Sequence, residues 1–382
     1  MSILKTNTIQ HISSSTPSAL TTSGGDLTNA AGISYMANKN LFYNGAMQVA
    51  QRGTSTASIT AGGYYTADRW ALALETLGTW TQSVENDAPT GSGFRKSLKM
   101  LCTTADASPA AGDLLFWRQP LEGQDLQRIA KGTSSAQQLT LSFWVKSNVT
   151  GTYVCNLVDN DNTRMVSGSY TISASATWEK KTITFAADTT GAFDNDNAVS
   201  LYVNWWLAAG STYTSGALRS AWTATANGDY AVGQTNLAAA TNNYWQVTGV
   251  QLEVGPVASS FEFKSFGQEL AQCQRYFCVI ADGSGQTFGT CAYYFTTEVL
   301  GTVFFPVTMR AAPTFSAASG SYYEVQTNVT ADALSGVQAN TISSRSANIF
   351  ANSSNGASGT TGHGGQYRTT SASANISFSA EL

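Results

Sequence analysis

Apolar and polar residues alternate with a period of two along much of residues 38–264. In residues 139–146, Leu, Leu, Phe and Val occupy the odd positions and Thr, Ser, Trp and Lys the even ones. Residues 199–207 repeat the pattern, with an apolar set opposite Ser, Tyr, Asn and Trp. This period is typical of an antiparallel strand with one face on the core. Both segments are therefore predicted to be half-buried strands.

Shorter strands of the same kind are separated by turn-forming residues, as in the Asp/Asn-rich segment 159–162. This many strands in one unit predicts an all-β fold, with a jelly-roll-like β-sandwich over residues 38–264. The shorter strands are predicted at 70–75, 80–84, 97–102, 114–119, 152–157, 180–186 and 245–254.

In residues 265–278 the spacing of apolar residues changes from two positions to three or four. Phe266, Leu270, Cys273 and Phe277 recur at steps of four, three and four, which places them on one face of a helix. We expect a connector helix over residues 265–278, with this face buried. Strand-like sequence resumes after it, so residues 279–382 are predicted to form a smaller C-terminal β domain.

Residues 1–37 are rich in Ser and Thr and have too few apolar residues to bury a core. Two interpretations remain open for this segment. It is either a disordered tail or an extended N-terminal arm that becomes ordered on a partner protein.

Only 12% of the residues are charged, against about 25% in a typical domain. The net charge is −4 and no run of basic residues exists, so nucleic acid is not an expected partner. No signal peptide and no stretch of about 18 apolar residues is visible, so membrane insertion is not expected either. Five cysteines form no regular disulfide framework.

The sequence contains no recognisable catalytic motif, so we expect that the protein is not an enzyme. The two histidines, His11 and His363, lie outside any zinc or triad motif. Glycoside cleavage needs only two carboxylates, so it stays open as an alternative. The pairs to consider are Glu122 with Asp125 and Asp68 with Asp113.

Two acidic turns could supply oxygen ligands to a structural Ca²⁺ ion, through Asp159 with Asp161 and Asp194 with Asp196. Neither turn has the glycine and distal glutamate of an EF-hand loop. Asp and Asn are also ordinary turn formers. No other cofactor is expected.

Three aromatic residues, Trp144, Tyr202 and Trp206, fall on the otherwise polar faces of their strands. Aromatic rings can stack on sugars. Alternatively, the same rings pack under loops or against a neighbouring subunit. Both interpretations remain open from the sequence.

Several motifs resemble those of virion proteins of tailed phages. The segments 40–53 (NLFYNGAMQVAQRG) and 65–70 (YTADRW) resemble the opening of a tail-fibre domain. The segments 250–255 (VQLEVG) and 261–277 resemble its closing strand and connector helix. Segment 305–314, the ending Ala380-Glu-Leu382 and the start 1–12 also resemble fibre proteins, the start in particular those of cyanobacterial phages.

The resemblance implies a galactose-binding-like or carbohydrate-module-like sandwich in a homotrimeric tail fibre, made in the host cytoplasm and assembled into the virion. Residues 1–37 would dock on a phage tail or baseplate protein, and residues 279–382 would face the host and its surface polysaccharide. In the latter, the Gly/Ser-rich segment 352–366, with His363, Tyr367 and Arg368, is a candidate contact. Alternatives are a virion-associated depolymerase and a purely structural tail component.

Overall fold

A computed structural model describes residues 8–10, 17–21, 27–28 and 38–382, apart from residue 329. The chain divides into two compact units, Met1–Lys264 and Ser265–Leu382. Regular structure is almost entirely antiparallel β-sheet, which confirms the predicted all-β class. No helix in the described residues is long and apolar enough to cross a membrane.

The N-terminal residues contain three short strands, β1 (Thr8–Gln10), β2 (Pro17–Thr21) and β3 (Leu27–Thr28). They pair antiparallel in the order β1-β2-β3. The rest of the predicted arm over residues 1–37 lies outside the described residues. Its attachment to a tail protein therefore stays a prediction.

The central unit contains thirteen further strands and two one-turn helices, α1 (Gly123–Leu126) and α2 (Ser211–Thr214). Short 3₁₀ turns lie at Gln127–Ile129, Asn227–Asp229 and Leu237–Ala239. The strands are β4 (Ser55–Ile59), β5 (Gly63–Tyr64), β6 (Ala71–Glu75), β7 (Thr79–Glu85), β8 (Ser97–Thr104), β9 (Leu114–Glu122), β10 (Leu139–Ser147), β11 (Gly151–Asp159), β12 (Arg164–Ile172), β13 (Glu179–Phe185), β14 (Val199–Ala209), β15 (Thr223–Ala224) and β16 (Tyr244–Val254).

These strands form two sheets, β13-β10-β16-β8-β7-β4 and β15-β12-β11-β14-β9-β6-β5. Eight of them, β8-β16-β10-β13 and β9-β14-β11-β12, have the strand order of a jelly roll. Successive strands from β8 to β11 alternate between the two sheets, and β11 and β12 form a hairpin within one. The predicted jelly-roll sandwich is confirmed by this order.

The core between the two sheets is rich in tryptophan. The rings of Trp70 and Trp117 stack with their centroids 4.0 Å apart, and Trp205 meets Trp70 edge-on at 5.7 Å. The inward positions of β10 and β14 are those that the alternation predicted. The other face of β14 is largely buried as well. The strand is therefore buried on both faces over most of its length, whereas the alternation predicted one exposed face.

The C-terminal unit begins with α3 (Phe266–Gln274). Its sheets have the orders β17-β26-β20 and β22-β21-β25-β18-β19-β24-β23, and one apolar core joins residues of both. A 3₁₀ turn lies at Ser353–Asn355. The strands are β17 (Phe277–Asp282), β18 (Thr287–Phe295), β19 (Glu298–Phe304), β20 (Thr314–Ala317), β21 (Tyr323–Gln326), β22 (Ala331–Leu334), β23 (Gln338–Asn340), β24 (Ser346–Asn352), β25 (Gly364–Thr369) and β26 (Asn375–Ser379).

Helix α3 is shorter than predicted, and its buried side differs from the predicted apolar face. Cys273 is buried, but Leu270 is only half-buried and Phe266 is 55% exposed. Phe277, the fourth predicted helix residue, opens β17 instead. The Ser265 capping box makes Phe266 the first residue of the helix, and the buried side of α3 carries Glu269 and Cys273.

Candidate functional site

The outer face of the sheet that contains β9, β14 and β11 carries a line of cross-strand neighbours. Their inward-pointing neighbours, such as Trp117 and Trp205, belong to the core, so this line points away from it. Polar residues occupy most of the line, which crosses six of the sheet's strands. We call it the outer row; it consists of Tyr64, Ala71, Arg118, Asn204, Asn156 and Ser167.

Arg118 is the charged centre of the outer row. Its guanidinium carbon lies 4.5 Å from the centroid of the Tyr202 ring and 5.8 Å from that of Phe116. Both rings project from the same face of the sheet as Arg118. Its Nε is buried without a hydrogen-bond partner. Among the described residues, no acidic side chain forms an ion pair with Arg118.

Asn156 organises the amide groups beside Arg118. Its Oδ1 accepts hydrogen bonds from Trp206 Nε1 at 2.8 Å and Asn204 Nδ2 at 3.3 Å. Its Nδ2 donates to the carbonyl oxygen of Tyr230 at 2.5 Å. Asn204 Oδ1 is buried without a partner in the protein. A buried acceptor without a donor is unfavourable, so this oxygen is suited to an ordered water that can bridge to a ligand hydroxyl.

A loop that includes α2 covers one end of the outer row. Trp206 is buried beneath it, with ring centroids 5.4 Å from Tyr213 and 6.0 Å from Tyr230. Of the two interpretations left open for this tryptophan, the structure shows packing under a loop. Tyr202 stays half-exposed, so it is the ring available to a ligand.

The sequence grouped Trp144 with Tyr202 and Trp206, but the structure does not bring them together. Trp144 lies half-buried on β10 in the other sheet, opposite Thr248 and Lys180. The two sheets pack face to face, and their outer surfaces point in opposite directions. Trp144 therefore cannot share a binding surface with Tyr202.

The C-terminal candidates are also separated, because β25 alternates. Tyr367 is fully buried, stacks on Phe288 at 5.3 Å, and donates its hydroxyl to the carbonyl oxygen of Val299 at 3.0 Å. Burial raises the pKa of Tyr367 well above its usual value. This corrects the expected stacking role of Tyr367, since a core ring offers no face to a ligand.

The other two C-terminal candidates, Arg368 and His363, lie apart from Tyr367. Arg368 points to the outer surface and forms an ion pair with Glu324 at 3.5 Å. His363 is exposed in the turn before β25. These three candidates therefore do not form one site.

The four aspartates proposed as calcium ligands take different roles. Asp159 is buried and meets the ammonium of Lys131 at 2.5 Å. Asp161 accepts the backbone N–H of Asp194 at 3.0 Å, and Asp196 accepts that of Ala198 at 2.9 Å. Within the described residues, no three acidic, histidine or cysteine side chains converge as metal ligands.

Lys131 supplies the positive charge at this end of the sandwich. Besides Asp159, its Nζ lies 3.1 Å from a carboxylate oxygen of Asp188. It also donates to the carbonyl oxygens of Thr190 at 2.9 Å and Gly191 at 2.7 Å. Four oxygens thus surround the ammonium, much as they would surround a metal ion.

The carboxylates considered for glycoside cleavage each hold local structure. Asp68 accepts the backbone N–H of Gln51 at 2.9 Å, and Asp113 accepts that of Ala110 at 2.7 Å. Glu122 is fully buried and accepts from a glutamine side chain, while Asp125 accepts the Tyr43 hydroxyl at 2.6 Å. Burial and the nearby Asp125 raise the pKa of Tyr43 well above its usual value.

Sequence reasoning missed Arg118, Asn156 and Asn204 as a group. Asn204 was placed on the polar face of its strand, and Arg118 lies within a predicted strand at an outward position. The available signal was a single arginine that follows the apolar run 114–117. Which strands are neighbours in the sheet decides that these residues meet, and a single sequence does not contain that information.

Comparisons with known proteins assign no family. No family model and no curated protein matches the chain. Among solved structures, the enzymatically active domain of tailspike protein 4 of bacteriophage CBA120 is 14% identical, with a TM-score of 0.31. The match covers 56% of this chain and 21% of that one.

Two carbohydrate-binding modules are similar at the same level. A family 61 module in complex with β-1,4-galactotriose is 9% identical, covering 57% of this chain and 99% of that one at a TM-score of 0.29. A family 11 module of Clostridium thermocellum with a mixed-linked tetrasaccharide is 11% identical, covering 54% and 98% at 0.28. At these values we base no functional conclusion on the neighbours.

Proposed function

We propose that this chain is a non-enzymatic attachment protein of a phage tail that binds host surface glycan through the outer row. The observation that carries the proposal is the cluster of Arg118, Tyr202 and Asn204 on one sheet face. It combines a half-exposed ring, a guanidinium without an acidic partner and a buried acceptor without a donor. These groups are near neighbours on paired strands.

This combination suits a sugar. The C–H face of a sugar ring packs on an aromatic ring, and its hydroxyls need directional hydrogen-bond partners. The Tyr202 ring supplies the packing face. The Arg118 guanidinium can donate to a sugar hydroxyl directly, and Asn204 can act through a bridging water. The hydrogen bonds around Asn156 hold the amides in place before binding, which reduces the entropy lost on association.

The virion setting rests on the phage-fibre motifs and on the low charge of the chain. In this setting residues 1–37 dock on the tail and three copies form the fibre. Light scattering on the purified protein tests the assembly. A mass of three times 40.3 kDa is expected, and a species of 40.3 kDa alone would overturn the trimer.

Glycan binding is tested by an array of bacterial surface polysaccharides and oligosaccharides. Tyr202→Ala should lower the affinity for retained glycans by roughly tenfold, because it removes the stacking face. The matched control is Tyr294→Ala, a ring that is 63% exposed in the C-terminal unit.

Three other outcomes separate the alternatives. Loss of binding with Tyr294→Ala or with segment 352–366 replaced, but not with Tyr202→Ala, would move the host contact to the C-terminal unit. No retained glycan would favour a purely structural component. Release of reducing ends from a bound polysaccharide would identify a depolymerase.

A further inference from the structure

Arg118 differs from Lys131, Arg164 and Arg219 of the central unit in its surroundings. Lys131 lies between Asp159 and Asp188, as described above. Arg164 Nε donates to Asp188 at 2.8 Å, and Arg219 Nε donates to Asp229 at 2.6 Å. Arg118 has two aromatic rings in place of a carboxylate. The fold thus supplies anions to these cations and leaves this one without any.

The position of Arg118 leaves it accessible. The residues of β6 opposite Arg118 and Phe116 are Ala71 and Ala73. Strand β6 therefore contributes no long side chain that could cover the guanidinium. Arg118 itself is half-buried. The neighbouring Tyr202 ring restricts the guanidinium, because stacking favours one plane for it.

We propose that the outer row selects acidic glycans, in which a sugar carboxylate pairs with the Arg118 guanidinium. This inference rests on the proposed function and names the ligand class for the same site. A planar guanidinium matches a carboxylate through two parallel N–H···O bonds. A neutral sugar leaves the partly desolvated charge without a counterion, so it binds less tightly.

The experiment uses the full-length protein and matched ligands. Oligosaccharides of uronic acids are compared with carboxyl-reduced counterparts, which differ only by CH₂OH in place of COO⁻. Titration calorimetry should show that reduction weakens binding by roughly tenfold or more, the usual range for a charge-assisted hydrogen bond. Affinity for the acidic ligand should also fall as salt is raised.

Two variants assign the effect to Arg118. Arg118→Gln should lose the preference and bind acidic and reduced oligosaccharides with equal affinity. Arg118→Lys keeps the charge but loses the planar fork, so it should retain part of the preference. Thermal melting by tryptophan fluorescence checks that both variants are folded.

The outcomes distinguish this inference from the proposed function. Binding that is equal for acidic and reduced ligands, or unchanged in Arg118→Gln, overturns the acidic preference and leaves glycan binding intact. A preference for sulfated over carboxylated sugars overturns the carboxylate assignment. Binding to neither ligand set nor to the polysaccharide array overturns both proposals.

Discussion

The outer faces of the two seven-stranded sheets differ in which side chains they bury and which they expose. In the central unit, polar residues such as Asn156, Asn204 and Ser200 are buried on the outer face, partly beneath a loop. In the C-terminal unit, the outer face of β18 and β19 exposes large apolar rings. Tyr294 is 63% exposed and Phe304 is 76% exposed.

The two outer faces are ordered by different interactions. Most buried polar groups form hydrogen bonds, and the bonds of Asn156 to Asn204 and Trp206 order the central face together with its covering loop. In the C-terminal unit, β19 and β24 alternate between core and surface, while an irregularity in β18 between Tyr293 and Phe295 leaves Tyr294 and Phe295 both exposed. The first arrangement suits a preorganised binding surface, whereas the second leaves the Phe304 ring largely in solvent.

The largest expected effect lies in the buried charges of the central unit. Lys131→Met leaves Asp159 and Asp188 buried without the ammonium between them, and we expect a loss of about 3–5 kcal/mol in the free energy of unfolding. All nine tryptophans lie before residue 265, so urea unfolding followed by tryptophan fluorescence reports the central unit.

The control is the ion pair of the other unit. Arg368 and Glu324 are partly exposed at 34% and 18%, so Arg368→Met should change the free energy of unfolding by less than about 1 kcal/mol. Its readout is hydrogen exchange of the C-terminal strands. Equal effects of both substitutions would contradict the contrast in burial. Added Ca²⁺ should partly restore Lys131→Met, because four oxygens then lack their cation.

A second substitution tests the amide network. Asn156→Leu removes the acceptor of Trp206 Nε1 and leaves the carbonyl of Tyr230 without its donor. We expect a loss of about 1–3 kcal/mol in the free energy of unfolding of the central unit. Asn340, exposed on β23, provides the control: Asn340→Leu should leave the hydrogen exchange of the C-terminal strands nearly unchanged. A neutral Asn156→Leu would show that the network does not order this face.

The same contrast explains how far the sequence predicted the structure. Alternation identified β10 and β14 and the inward positions of both, and the number of strands indicated the jelly roll. The exposure of the other face was not predictable, because it depends on a loop that returns over β14 from residues 210–231. Period alone also failed for α3, where Glu269 is buried and Phe266 is exposed.

The candidate site depended even more on tertiary information. Arg118 and Asn204 are 86 positions apart in the sequence and meet because β9 pairs with β14. The sequence identified Tyr202 and Trp206 from their place on a polar face, and both do point away from the core. Only Tyr202 is accessible to a ligand, because the loop buries Trp206. Tyr367 and Arg368 are adjacent in the sequence, and the pleat of β25 points them in opposite directions.

Acid should weaken the central unit. Burial alone would raise the pKa of Asp188, but hydrogen bonds from Arg164 and Lys131 outweigh it and hold this pKa below the usual value. A carboxylate whose pKa is lowered on folding adds stability above its unfolded pKa of about 3.9. That stability is lost as the pH falls through the lower folded value.

The measurement is the urea midpoint of tryptophan fluorescence at pH 7, 4 and 3. The wild type should lose stability below about pH 4, and Asp188→Asn should lose less over the same interval because one titrating group is gone. Asp188→Asn will itself be less stable at pH 7. An unchanged pH dependence in this variant would show that Asp188 does not contribute to it.

The smallest effect is expected on the exposed face of the C-terminal unit, at two adjacent residues of β19. Val303 is buried and Phe304 is 76% exposed. Val303→Ala should lower the opening free energy of β19 by about 1–3 kcal/mol, because it leaves space in a packed core. Phe304→Ser should change it by less than about 0.5 kcal/mol, since the ring contacts little within the unit. Hydrogen exchange of peptides covering β18 and β19 measures both. A large loss with Phe304→Ser, accompanied by a lower mass in light scattering, would show that another copy covers this ring. The two outer faces would then both be buried, one by its own loop and one by assembly.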